Sequence, residues 1–187
     1  MIIGVPKEIK NNENRVAIIP EKAAMLSEQN HNILIESNAG TSAGYPDKDY
    51  VNSGCTIISN VEEIYKNAEL LTKVKEPLKS EYKYLNKKSI LFTFLHLAAN
   101  KNLLINLLKS EITSIAYEAV TKDGKTFPLL KPMSEIAGKL APQIAANFLQ
   151  KQYGGPGLLI GGTSNVKPLN ISIIGAGIVG YNAAIIS

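Results

Sequence analysis

The residues best suited to chemistry in this chain fall into three sets. Arg15 is the only arginine among 20 basic residues. A sequence that uses lysine elsewhere and arginine once points to a place that needs the guanidinium. Its planar fork grips a carboxylate at two points, which a lysine ammonium cannot do. Lys75 and His96 form the second set. Each follows a short apolar run that reads as a strand, over residues 70–74 and 89–94. Open α/β sheets place their ligands at the C-terminal ends of strands. A near-neutral imidazole there suits proton transfer, although the preceding Phe-Thr-Phe-Leu also fits a histidine packed in the core. The third set is Gly175, Gly177 and Gly180, directly behind the apolar run 171–174 and ahead of a helix start. In such a pattern the first glycine makes a tight turn, the second admits a pyrophosphate against the backbone, and the third lets helix pack on strand. The helix N-terminus adds N–H donors and a positive dipole end. Dinucleotide binding is the reading, with a ligand-free tight turn as the alternative.

Other reactive residues carry less. His31, between two asparagines ahead of a strand, reads as a surface or capping histidine. Cys55 has no cysteine partner and reads as a small packed residue. Two histidines and one cysteine, far apart, give no zinc spacing, so no metal is expected. Tyr117 and Glu118 also end a strand, but nothing else marks them.

The elements that must position these residues alternate. Strands are expected at 2–5, 32–36, 57–58, 70–74, 89–94 and 112–117, with helices at 20–30, 47–52, 61–67 and 100–109 between them. Short apolar runs alternating with helices imply a parallel sheet covered on both faces. The fold class is therefore α/β: a Rossmann-like parallel-sheet domain over residues 1–130, then the start of a Rossmann dinucleotide-binding domain over residues 131–187. In this second part Ser134 reads as the N-cap of a helix running to about Gln152, with Pro142 inside it. A glycine-rich loop at 154–162 and a strand at 171–174 follow. One strand and part of one helix cannot make a doubly wound sheet, so this second domain is expected to be incomplete here and the chain to be a piece of a longer protein.

Composition sets the outer limits. Hydrophobic residues make up 45% and charged residues 19%, which excludes disorder and coiled coil. The net charge of +4 is spread along the chain, and Lys83, Lys87 and Lys88 read as a solvated face, so no nucleic-acid partner is expected. The apolar start is cut short by Lys7, unlike a signal peptide, and the lone cysteine fits a reducing, cytoplasmic setting. The charge-free stretch 168–187 approaches membrane-spanning length, but Asn170, Ser172, Asn182 and three glycines interrupt it. A buried strand and helix start is the expectation there, with no membrane partner.

Several stretches, in order, resemble the alanine dehydrogenase and nicotinamide nucleotide transhydrogenase family. They are Gly4-Val-Pro-Lys-Glu through Arg15-Val-Ala, Lys73-Val-Lys75-Glu-Pro77, Leu91 through His96-Leu-Ala-Ala, Pro132-Met133-Ser134-Glu135, and the Gly175 fingerprint. The resemblance spans the chain and corresponds to the first half or so of a family member. It implies NAD-dependent oxidative deamination of L-alanine to pyruvate and ammonia, and the reverse. Residue by residue, Arg15 would bind the substrate carboxylate, Lys75 its carbonyl or imine side, and His96 would be the general acid/base. Met133 and Ser134 would line the nicotinamide side of the cleft. Gly175, Gly177, Ile178, Val179 and Gly180 would hold the pyrophosphate. The partner would be a small-molecule substrate, and the assembly a homo-hexamer. Transhydrogenase shares the opening motif and the fingerprint, while the Leu-His-Leu-Ala stretch favours alanine dehydrogenase; a non-catalytic remnant is the third possibility. Phe94 stands where many members have tyrosine, and the loop 161–166 departs from the family pattern. The resemblance also implies that the family's catalytic aspartate, its ribose-binding acid and the segment that completes the first domain lie beyond this stretch, so the domain over residues 1–130 is expected to be incomplete too and residues 1–187 alone to be inactive.

Overall fold

The computed structural model describes all 187 residues. The elements are β1 (Ile2–Val5), α1 (Pro20–Glu28), β2 (Asn32–Glu36), α2 (Asp47–Asn52), β3 (Thr56–Ile58), α3 (Val61–Asn67), β4 (Leu70–Thr72), β5 (Ile90–Thr93), α4 (Lys101–Ser110), β6 (Thr113–Ala116), α5 (Lys131–Leu149) and α6 (Ile178–Ile186). The chain divides into two compact units, Met1–Val120 and Thr121–Ser187, a boundary somewhat earlier than the 130/131 position read from the sequence. Local chemistry explains several starts. Pro20 opens α1 at its first turn, where its missing N–H costs nothing. The Asn60 and Asn100 side chains accept the backbone N–H groups of Glu62 and Leu103 and so cap α3 and α4.

In the first unit all six strands are parallel, in the order β3-β2-β1-β4-β5-β6. Strand alternation sends neighbouring side chains to opposite faces. Ile3, Val5, Ile33 and Ile35 join Ala23 of α1 and Tyr50 of α2 in one apolar cluster. Leu34, Leu71 and Leu91 join Ile64 and Tyr65 of α3 with Leu103 and Leu107 of α4 in the other. At the centre of the sheet the fit is close. A Cβ on Gly4 would lie 2.6 Å from Ile64 Cγ2 and 2.8 Å from Ala68 Cβ, so α3 packs directly on the β1 backbone. Cys55 is buried, as the sequence suggested.

The order of the strands reverses between β1 and β4, and the chain spends charge there. Lys73, just past β4, is only 1% exposed. Its Nζ lies 2.9 Å from Glu81 Oε1 and 3.5 Å from Glu8 Oε2. Glu81 also accepts the Tyr65 hydroxyl at 2.8 Å and the Leu78 N–H at 2.7 Å. Burial raises the pKa of Glu8, opposed by the Lys73 charge and by the N–H groups of Val74 and Lys75.

The second unit corrects three expectations. Helix α5 starts at Lys131, so Ser134 lies within its first turn and donates its N–H to Leu130 O; it is not the cap. Pro132 is the cause: its ring suits the opening turn, which places the helix start ahead of it. The helix ends at Leu149, and a separate 3-10 turn covers Lys151–Tyr153. The run 171–174 forms no strand, and Ile171, Ile173 and Ile174 are exposed rather than buried. A strand is a ladder, and this segment has no partner to pair with. No helix of the protein is long and apolar enough to cross a membrane.

The buried charge cluster yields a stability prediction. Lys73→Met keeps most of the volume but leaves Glu8 and Glu81 buried without their cation. Breaking a buried pair in this way costs about 3–5 kcal/mol, and urea unfolding at neutral pH measures it. The loss should shrink below the ordinary glutamate value of 4.5, because burial raises the folded pKa of Glu8, and a carboxyl so raised costs stability as pH rises through that range and relieves the cost as it protonates.

Candidate functional site

The C-terminal edge of the parallel sheet gathers the candidates of the first unit. Beyond the last ladder pair, backbone N–H groups lack a carbonyl opposite them, and an unpaired donor is costly when buried. Three glutamates supply the acceptor. Glu36 at the end of β2 accepts the Lys7 N–H beyond β1 at 2.8 Å. Glu8, beyond β1, accepts the N–H groups of Val74 and Lys75 beyond β4 at 2.6 and 3.3 Å. Glu118, beyond β6, accepts the Leu95 N–H with both oxygens at 3.2 Å and the His96 N–H at 2.8 Å. Lys75 and His96 thus sit at the ends of adjacent strands, next to the point where strand order reverses and where open α/β sheets leave a crevice.

Arg15 lies on the loop between β1 and α1. Glu13 receives its Nε at 2.8 Å and its Nη2 at 2.6 Å, and accepts its backbone N–H at 3.0 Å. This is the two-point carboxylate grip expected of the guanidinium, made here within the chain. The hydrogen bond from Arg15 is the main cause holding the Glu13 carboxyl below its ordinary value, and the Lys75 charge adds to it. Only Arg15 grips this carboxylate directly.

His96 is exposed, so the core-histidine alternative fails. It adopts a left-handed backbone conformation, φ 49° and ψ 39°. Its ring lies nearly parallel to Phe94, centroids 5.9 Å apart at 11°. Tyr117 packs edge-on to Phe94 at 5.1 Å and 81°, and its hydroxyl shares a 2.6 Å hydrogen bond with Thr72. Where a tyrosine would add a hydroxyl, Phe94 supplies an apolar platform. His31 faces the N-terminal amine at 3.2 Å, on the outside of the protein as expected.

In the second unit, Ser134, Gly175, Gly177, Ile178, Val179 and Gly180 line one largely apolar cavity of about 720 Å³; Met133 is not among its lining residues. Gly175 has φ 106°, a region open to glycine. A Cβ on Gly180 would lie 1.9 Å from Gly175 O, so the third glycine is required by the approach of helix to turn. Added Cβ atoms on Gly175 and Gly177 would meet nothing, which leaves room for a ligand against the backbone. Gly177 is the N-cap of α6 and offers no side-chain cap, so the first N–H groups of the helix face that space. These features fit a dinucleotide pyrophosphate. Gly138 was not foreseen: its missing Cβ admits Val179 O and Asn182 Cβ of α6 against α5.

The sequence reading also missed Glu8, Glu13 and Glu36, and left Glu118 without a role. The available signal was position: Glu8, Glu36 and Glu118 each lie at a strand end or within three residues of one.

Comparison with known proteins matches residues 4–137 to "Alanine dehydrogenase/PNT, N-terminal domain" and residues 141–187 to "Alanine dehydrogenase/PNT, C-terminal domain". Alanine dehydrogenase of Methanococcus maripaludis is 49% identical over 184 residues, 98% of this chain and 49% of that protein. Alanine dehydrogenase of Bacillus subtilis is also 49% identical, over 98% of this chain and 48% of its own length. A solved L-alanine dehydrogenase superposes with TM-score 0.90 at 46% identity, covering 99% of this chain and 51% of its own. A transhydrogenase from Sinorhizobium meliloti superposes with TM-score 0.80 at 22% identity, covering 100% of this chain and 55% of its own, which shows a shared fold. The chain spans about half the length of the curated relatives it matches. With both family domains matched in order, the chain belongs to the alanine dehydrogenase/PNT family.

Proposed function

We propose that the protein carrying these residues catalyses the NAD-dependent, reversible oxidative deamination of L-alanine to pyruvate and ammonia. The carrying observation is the placement of Lys75 and His96 at the ends of the neighbouring strands β4 and β5, with Arg15 on the loop that leaves the adjacent strand β1. An amino acid substrate brings its own carboxylate, and the Arg15–Glu13 fork displays the geometry that would receive it. The names of relatives at 49% identity point the same way.

In this reading Arg15 binds the substrate carboxylate and Lys75 steadies the group that alternates between amine and carbonyl. NAD bound beside it would supply the acceptor for the hydride that leaves the substrate Cα. Water then adds to the C=N carbon and ammonia leaves; His96 moves the proton that these steps require. The exposed imidazole over Phe94 is accessible for that transfer. Gly175, Gly177, Ile178, Val179 and Gly180 would hold the pyrophosphate through backbone N–H groups, with Met133 and Ser134 toward the nicotinamide. The same reading carries a cytoplasmic location, consistent with a single buried cysteine, and assembly as a homo-oligomer.

The test is formation of NADH from L-alanine and NAD by a full-length enzyme whose first half is this chain; absence of turnover would overturn the reading. In that enzyme, Arg15→Lys is expected to raise the alanine KM at least tenfold with little change in unfolding midpoint. His96→Ala should lower kcat by about 10²-fold or more, the usual contribution of a positioned acid/base group, and an unchanged kcat removes His96 from that role. Gly180→Ala should abolish NAD binding measured by calorimetry, because the new methyl group and Gly175 O cannot both keep their places.

A further inference from the structure

We propose that Glu118 is a positioning residue for His96: its carboxylate fixes the left-handed turn from which the imidazole is presented. The inference rests on the reading of His96 as the acid/base group. The ladder between β5 and β6 ends at the pair Thr93–Ala116. The next two N–H groups of functional consequence on the β5 side, those of Leu95 and His96, have no backbone carbonyl opposite. Glu118 reaches both, with three contacts between 2.8 and 3.2 Å. Hydrogen bonds to an ionised carboxylate are the stronger kind, and a residue with a Cβ needs support in the left-handed region.

The neighbouring residue completes the grip. Tyr117 packs against the edge of Phe94, and Phe94 lies parallel to the imidazole. Tyr117 is itself tied to Thr72 of β4. Two consecutive residues thus hold the His96 segment twice, Glu118 by its backbone and Tyr117 by the ring beneath it. The Glu118 carboxyl is pushed up by burial, yet the N–H groups of His96 and Leu95 and the imidazole bring it below its ordinary value, so it remains an ionised acceptor at neutral pH. The arrangement is also repeated at the other candidate, where Glu8 takes the N–H groups of Val74 and Lys75.

The test uses the full-length enzyme whose first half is this chain, with Glu118→Ala and Glu118→Gln. Two quantities are read: steady-state kcat and alanine KM, and amide hydrogen exchange of residues 90–96. Glu118→Ala should lower kcat at least tenfold while the alanine KM changes less than threefold. Leu95 and His96 amides should exchange at least tenfold faster, with those of β5 unchanged. Glu118→Gln, whose amide oxygen still accepts, should recover kcat to within about threefold of the parent. Should Glu118→Ala not fold, Glu118→Asp retracts the acceptor by one methylene and carries the same expectation. Faster exchange with kcat within twofold of the parent would make Glu118 a turn cap and overturn the proposal, as would unchanged exchange. A parent enzyme inert toward alanine and NAD overturns the functional reading instead, while the exchange measurement still reports on the clamp.

Discussion

One buried carboxylate, that of Glu8, ties the structure together. It lies where the strand order reverses and takes the N–H groups of Val74 and Lys75 from the strand beside it. It also faces the ammonium of Lys73, which is buried from water and shared with Glu81. An isolated ion at that depth would be prohibitively costly, so the three charges and the Tyr65 hydroxyl stand or fall as a group. The consequence is that the backbone carrying Lys75 is held by electrostatics rather than by sheet pairing.

The same solution recurs along the sheet edge. Parallel strands end at different heights, so each end leaves N–H groups without partners. Glu36, Glu8 and Glu118 supply the missing acceptors from the neighbouring strand's exit. Short side chains could not span the gap, and a neutral acceptor would bind more weakly. Two of these glutamates also face basic groups, Glu36 the Lys7 ammonium and Glu8 the Arg15 guanidinium. Arg15 follows the same logic inside its own loop, where Glu13 orders the guanidinium.

The second unit shows how much a strand owes to its neighbours. Residues 171–174 carry three isoleucines, as an interior strand would, yet Ile174 is fully exposed and no ladder forms. The glycine turn and helix behind it nevertheless take the shape that the spacing implies. Turn geometry is decided within a few residues, by φ at Gly175 and by the approach of Gly180 to Gly175 O. Strand pairing is decided by segments far away in sequence. Local and non-local requirements thus separate cleanly within fifteen residues.

Much of the fold was legible in the sequence for this local reason. Helix α3 lies at residues 61–67 as its capping asparagine and apolar spacing dictate, and all six strands of the first unit fall within a residue or two of the apolar runs. Period-two alternation on β1 and β2 determined which side chains meet which layer of helices. Ser134 was misjudged as a cap because Pro132 competes for the helix start, a contest between two local preferences. At the site, residue type marked Arg15, Lys75, His96 and the glycines, because each has chemistry that few other residues share. The roles of the glutamates were not legible from residue type, although their position near strand ends was. Glutamate on a surface and glutamate beneath a strand end look alike in one dimension, and only the sheet brings Glu8 to Lys75 across 67 residues and Glu118 to His96 across 22. The sequence by itself determined which groups could react; the tertiary structure decided which carboxylates hold them, because strand order, not chain order, sets what lies next to a strand end.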